Sequence, residues 1–270
     1  MTRRRPDPRR VVRRWGATCL ALTLTLFVGC EAPVGAEGEL NAIEFSGIPF
    51  PAIVIGDTLR DSLGVAAPLQ ATAYDGRGAV IPDAEFRFLS PDSGVTISPT
   101  GLVTTTRTSG VIRIFASLGT LQSARRTIVV TPRPDTVSAV GTARVTLDYV
   151  LPDGAANLTG DIGVSVHNLS GPTTTPGNVT GWPVRWRLIY RGDTLAPGDT
   201  TLAVLQSNTG RRGGIDTTST SGISIRRLRV FSNRLPVATD SFEVVAEVRR
   251  HGRPVAGSPI RFWVRFAPKR

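Results

Sequence analysis

The sequence predicts an all-β fold of the sandwich type, and three observations point there. Apolar residues recur at every second position in short runs such as Trp182, Val184, Trp186, Leu188 and Tyr190. That spacing places side chains on one face of a strand. The runs are punctuated by turn residues, drawn from 28 glycines and 20 prolines in 270 residues. Beyond residue 29, runs of helix-forming residues with a helical period are missing. The fold class expected is therefore all-β, with two β-sandwich domains behind an N-terminal signal segment.

The front of the chain has its own logic. Residues 1–14 hold seven arginines and one acid, Asp7, a charge that keeps an N-terminus on the cytoplasmic side of a membrane. The apolar run from Ala17 to Gly29 is shorter than the ~20 residues a stable span needs, and it suits a signal h-region of ~7–15. Phe27-Val28-Gly29-Cys30 follows and resembles the lipobox of bacterial lipoproteins. The resemblance implies diacylglycerol on the Cys30 sulfur and cleavage just before it. Where that family usually has an aliphatic residue three before the cysteine, this chain has Phe27. The alternatives are ordinary export with cleavage after Val34-Gly35-Ala36, a twin-arginine signal at Arg9-Arg10, or a retained N-terminal anchor. Cysteine usage favours lipidation: the chain has only Cys19 and Cys30, so processing leaves Cys30 alone. One cysteine makes no disulfide framework, and the spacing of a zinc site is missing, so no metal or cofactor is expected.

Charge narrows the partners. Residues 1–29 supply +6 of the +11 net charge, which leaves the remainder near +5. With that modest charge, an exported destination and no recognition motif, nucleic acid is not an expected partner. Of the 32 basic residues only Lys269 is lysine, a bias better assigned to a GC-rich genome than to function.

Along the chain, residues 31–40 are small, polar and acidic, and 30–45 reads as a flexible tether, with order beginning near Asn41. From 46 to 132 a ladder of strands is expected: Leu69, Ala71 and Ala73; Ala84, Phe86 and Phe88; Val95–Ser98; Leu102–Thr104; Val111–Ala116; Thr127–Thr131. Within it Ser98, Gly101, Val103, Gly110 and Ile112–Ile114 resemble the signature of the bacterial immunoglobulin-like domain, group 2. That resemblance implies an immunoglobulin-like sandwich without the antibody-type disulfide. Thr131-Pro132-Arg133-Pro134 is a stiff joint and the expected boundary. Residues 133–270 read as a second, enlarged sandwich, with a truncated third module as the alternative. Its strands carry Val145, Leu147 and Tyr149; Ile162, Val164 and Val166; the Trp182–Tyr190 run; Phe242–Val248; and Ile260, Phe262, Val264 and Phe266. Residues 168–181 form a long turn-rich loop, and the parity change between Ile223, Ile225 and Leu228, Val230 suggests a β-bulge or turn near Arg226-Arg227.

Catalytic equipment is sparse. The two histidines, His167 and His251, are expected at a strand end and in a hairpin turn, where a histidine is ordinarily solvated. Hydrolase elbows, zinc-protease motifs and phosphate-binding loops are missing. Most acids lie beside Gly or Pro, where Asp serves the turn. The sequons at Asn157, Asn168 and Asn178 read as turn sequence.

One surface carries more promise. If Ile260, Phe262, Val264 and Phe266 face the core, then Arg261, Trp263 and Arg265 face outward, as do Arg185 and Arg187 one strand run earlier. Trp263 among guanidinium groups suits a sugar or an anionic polysaccharide; the structural alternative is that arginines cap it or that it packs on the first domain. The expected function is a non-enzymatic, lipid-anchored envelope protein using immunoglobulin-like modules for binding, adhesion or spacing. Its partners would be the membrane, through Cys30, and envelope polysaccharide or another envelope protein. One rival is a carbohydrate-binding or carbohydrate-active protein with Trp263 and the 168–181 loop at its site. Another is an assembly factor pairing through a sheet edge. Glu31 after Cys30, rather than Asp, favours the outer membrane.

Overall fold

The alternation in the sequence becomes strand pairing in the structure, a computed structural model describing residues 39–169, 177–198, 201–235 and 238–269. The signal segment, Cys30 and residues 170–176 of the long loop lie outside the described residues.

Two hydrophobic cores organise the chain. Around the first lie β1 (Leu40–Gly47), β2 (Ala52–Val54), β3 (Gln70–Asp75), β4 (Val80–Ile81) and β5 (Arg87–Leu89). They are followed by β6 (Val95–Ile97), β7 (Val103–Thr105), β8 (Gly110–Leu118), β9 (Leu121–Gln122) and β10 (Arg126–Thr131). One sheet runs β1-β3-β4 and the other β2-β10-β8-β5, with β9 on β8 and a separate β6-β7 hairpin. Phe45 of β1, Ile53 of β2, Ile112 and Ile114 of β8 and Ile128 of β10 meet between the sheets. The paired region starts at Leu40, beside Asn41, where the sequence implies that order begins. Leu40–Phe45, expected in the tether, pair with β3, because Phe45 is drawn into the core against Phe88, ring centroids 5.7 Å apart. Ala84–Phe86 lie outside any strand, and only Arg87–Leu89 pair with β8.

Around the second core lie β11 (Thr136–Val140), β12 (Arg144–Tyr149), β13 (Ile162–Asn168), β14 (Gly177–Asn178), β15 (Pro183–Tyr190) and β16 (Asp193–Leu195). Then come β17 (Ala203–Gln206), β18 (Ile215–Thr217), β19 (Ile223–Val230), β20 (Asp240–Glu247), β21 (Arg249–Arg250), β22 (Arg253–Pro254) and β23 (Ile260–Pro268). One sheet is ordered β11-β13-β19-β17, with β14 on β13; the other is β12-β23-β20-β15-β16, with β18 on β15. Strand β12 runs parallel to β23, and the other pairings of these two sheets are antiparallel. This is the A-B-E-D and C-F-G arrangement of an immunoglobulin-like sandwich, with an added strand beside C and a parallel strand beside G. Trp186, on the strand in the C position, is buried as such sandwiches require. Tyr149, Phe242, Phe262 and Phe266 are fully buried with it, and Phe242 lies 4.9 Å from both Tyr190 and Phe266.

Strand β19 corrects the sequence reading. Its register against β13 and β17 runs without a bulge, and the residues facing inward are Ser224, Arg226, Leu228 and Val230. The inward polar groups are mostly partnered, the buried Arg226 Nε being an exception among the described residues. Trp186 Nε1–H donates to Ser224 Oγ (3.1 Å), linking the two sheets, and Ser224 Oγ–H donates to Asp216 (3.2 Å). The Arg226 guanidinium donates to the Ile215 carbonyl (2.7 Å) and lies 3.8 Å from Asp216.

A second polar cluster ties down the segment between β12 and β13. Asn157, fully buried, accepts from the Val150 N–H and donates to the Val150 carbonyl, to Asp153 and to Ser232. Burial raises the Asp153 carboxyl, but hydrogen bonds from Arg229, Asn157 and the Ser232 N–H, with the Arg229 charge, outweigh it and hold the pKa at about 2. Asn157 and Asn168 are thus both structural, Asn168 donating to the Arg133 carbonyl and Asp135.

Candidate ligand surface and the joint between the cores

Because β15, β20 and β23 alternate without interruption, their even-numbered residues fill the core and their odd-numbered ones form the outer face. The register sets these side chains side by side. Trp263 faces Arg144 across β12 and Glu243 across β20, Arg261 and Arg187 flank Val245, and Arg185 lies between Glu247 and Ile215. Trp263 is 49% exposed, so it is neither buried against the first core nor sealed by its neighbours. Guanidinium groups stack on Tyr190 and Phe231, and none stacks on Trp263 among the described residues. Its backbone N–H donates to Ala143 O at 2.8 Å, so the ring stands on a fixed strand.

The charges on this face are unevenly partnered. Glu243 is mostly covered and ion-paired with Arg261; Glu247 is mostly covered and accepts from Arg249 Nε at 2.8 Å. Arg144, Arg185, Arg187 and Arg265 have no side-chain acceptor among the described residues. Val245 is 1% exposed although it points outward. Its cross-strand neighbours are Arg187 and Arg261, whose apolar stems cover it while their charged ends reach solvent.

Arg185, Arg187, Arg261, Trp263 and Arg265 thus share one face, with β20 separating the β15 pair from the β23 trio by roughly 10 Å. Arg144 completes the group. Its outward parity was readable from Val145, Leu147 and Tyr149, but its place beside Trp263 depends on the parallel β12–β23 pairing. Loop residues 170–176 lie outside the described residues.

Where the two cores meet, this face ends in a cleft of about 240 Å³ lined by Phe50, Pro51, Pro183, Arg185, Ile215 and Glu247. Phe50 packs on Trp182 with ring centroids 5.0 Å apart, and Ala52 joins the second core. Thr180 N–H donates to Thr131 Oγ1 at 3.0 Å. His251 is an exposed turn residue, as expected, and its turn also borders this joint. A Cβ at Gly64 (φ +89°) would lie 2.3 Å from His251 Cα, so the turn passes directly over the glycine. His251 Nε2 lies 3.5 Å from Asp57, which also accepts from Arg60. Burial lowers the His251 pKa, the Arg250 and Arg60 charges add to that, and Asp57 opposes it. His167 lies elsewhere, on β13 paired to β11 and β14. Among the described residues no three His, Cys, Asp or Glu side chains gather as a metal set. No described helix is long and apolar enough to cross a membrane.

No known family matches the chain, and neither does any curated protein. Among solved structures it is similar to domains 4 and 5 of the S-layer protein SbsC, at 14% identity over 85% of this chain and 99% of that one, TM-score 0.30. It is similar to the Yersinia pseudotuberculosis adhesin InvE at 13% identity over 73% of this chain and 52% of that one, TM-score 0.32. The periplasmic chaperone SfaE gives 12% identity over 50% of this chain and 59% of that one, TM-score 0.32. At such scores the likenesses carry no argument, and the fold assignment stands on strand order and register.

Proposed function

We propose that this chain is a non-enzymatic, lipid-anchored protein of the bacterial cell envelope, on the outer membrane, whose sandwiches serve as binding and spacing modules. The observation that carries the binding role is the outer face of the β12-β23-β20-β15 sheet, where a half-exposed Trp263 stands among guanidinium groups on rigid strands. Surfaces built on paired strands hold a contact geometry without the ordering cost of a loop. Support for the anchor comes from the sequence: a basic start, a short apolar run and Cys30 at its end. A carbohydrate-binding role for the same face is the second reading, favoured by the uncapped indole of Trp263.

The anchor is tested by growing cells with labelled palmitate and comparing the wild type with Cys30→Ala. Label should follow the wild-type chain into the membrane fraction and be lost from the variant. Equal labelling of the two chains, or none in either, removes the anchor from the account.

A further inference from the structure

We infer that the outer face of this sheet is a docking track for an acidic polysaccharide, running from Trp263 and Arg144 across Arg187 and Arg185 to the Phe50 cleft. The inference rests on reading this face as the binding surface, and it is independent of the anchor at Cys30.

Charge on this face favours an anion. Two of the carboxylates on the face, Glu243 and Glu247, are covered and ion-paired, so they repel an incoming anion little. The exposed Asp148 lies on β12 two residues past the Thr146–Arg265 pair, away from Arg185 and Arg187. Four guanidinium groups on the same face, those of Arg144, Arg185, Arg187 and Arg265, have no protein acceptor among the described residues. Guanidinium forks match carboxylate, sulfate and phosphate in two-point geometry. Spacing then selects a chain over a small anion. From Arg144 on β12 to Arg185 on β15 the track crosses three strand intervals and four residue steps, roughly 20 Å. A single anion reaches one end of it, whereas a polymer with a recurring charge reaches both.

The apolar contacts select a sugar. Trp263 presents an uncapped indole near one end, suited to stacking on the C–H face of a pyranose. At the other end Phe50, Pro51, Pro183 and the 62%-exposed Ile215 form an apolar cleft beside Arg185. Between the ends, the covered Val245 keeps the floor smooth, and the Arg187 and Arg261 stems lie along it. The charge pattern is too sparse for the dense phosphate line of a nucleic acid, and the face offers one indole, not the row of aromatics that unpaired bases stack on.

The test uses the purified full chain and four variants: Trp263→Ala, Arg185→Gln with Arg187→Gln, Arg144→Gln with Arg265→Gln, and, as a charge-matched control, Arg125→Gln with Arg126→Gln. Arg125 and Arg126 are exposed at the start of β10, around the first core. Binding is measured to alginate, to neutral dextran and to single-stranded DNA, with circular dichroism checking that each variant is folded. Alginate should bind best, each arginine pair on the face should weaken it roughly tenfold and Trp263→Ala roughly fivefold, and the control should match wild type. The inference is overturned by any of four results: no alginate binding, equal binding of dextran, DNA binding as tight as alginate, or equal losses for the face and control pairs. Should Trp263→Ala or a face pair fail to fold, competition of alginate with indole exposure of the wild type, read by acrylamide quenching, decides: protection supports the track and its absence overturns it. Failure here leaves palmitate labelling of Cys30 untouched, and failure of labelling leaves alginate binding untouched.

Discussion

Ser224 and Arg226 show why hydrophobic parity alone misleads on a strand whose buried face is partly polar. In the sequence, Ile223 and Ile225 imply one inward parity and Leu228 and Val230 the other, so a bulge looks necessary. In the structure the strand is regular: Ser224 points inward bonded to Trp186 and Asp216, and Arg226 points inward with its guanidinium on the Ile215 carbonyl but its buried Nε unpartnered among the described residues. A satisfied pair stabilises modestly, whereas an orphaned buried donor costs about 1–3 kcal/mol. Ser224→Ala removes the acceptor of the buried Trp186 Nε1–H, so it should lower unfolding stability by about 1–3 kcal/mol in urea titration. A loss below about 0.5 kcal/mol would mean the bond between the sheets is not made.

At the scale of elements, what could be read from the sequence was the strand with a repeating apolar face: Trp182–Tyr190, Phe242–Val248 and Ile260–Phe266 all appear with the expected side buried. Pairings between distant strands were not readable. Neither β2 with β10 nor β12 with β23 has a local signal, because each parallel pair joins residues more than 70 positions apart. For that reason Arg144 escaped the sequence reading, and so did the joint, where Phe50 packs against both cores and Ala52 joins the second. The joint makes a prediction of its own. Phe50→Ala removes the ring that packs on Trp182 and should speed amide exchange at Thr180, whose N–H bonds Thr131 across the joint. Exchange at Val264, deep in the second core, should stay as in wild type. Unchanged exchange at Thr180 would show that the ring does not hold the two halves together.

For the whole molecule, net charge says less than its placement. Much of the +11 lies in residues 1–29, yet one sheet face collects four arginines without an acceptor among the described residues around an exposed tryptophan. Outward parity on β15 and β23 was legible from the sequence; the covering of Glu243 and Glu247, which turns a mixed face into a positive one, came only with the pairing of strands. The central claim, that this face is where the protein works, is tested most directly by following the indole N–H signals of Trp182, Trp186 and Trp263 by NMR as alginate oligomers are added. Trp186 donates its indole N–H inside the fold, to Ser224 Oγ, and serves as the internal reference, while Trp182, packed on Phe50, lies beside the cleft. A progressive shift of the Trp263 signal is expected, with that of Trp186 unmoved. A Trp263 signal that stays fixed while alginate binds, or a shift confined to Trp186, would contradict docking on this face.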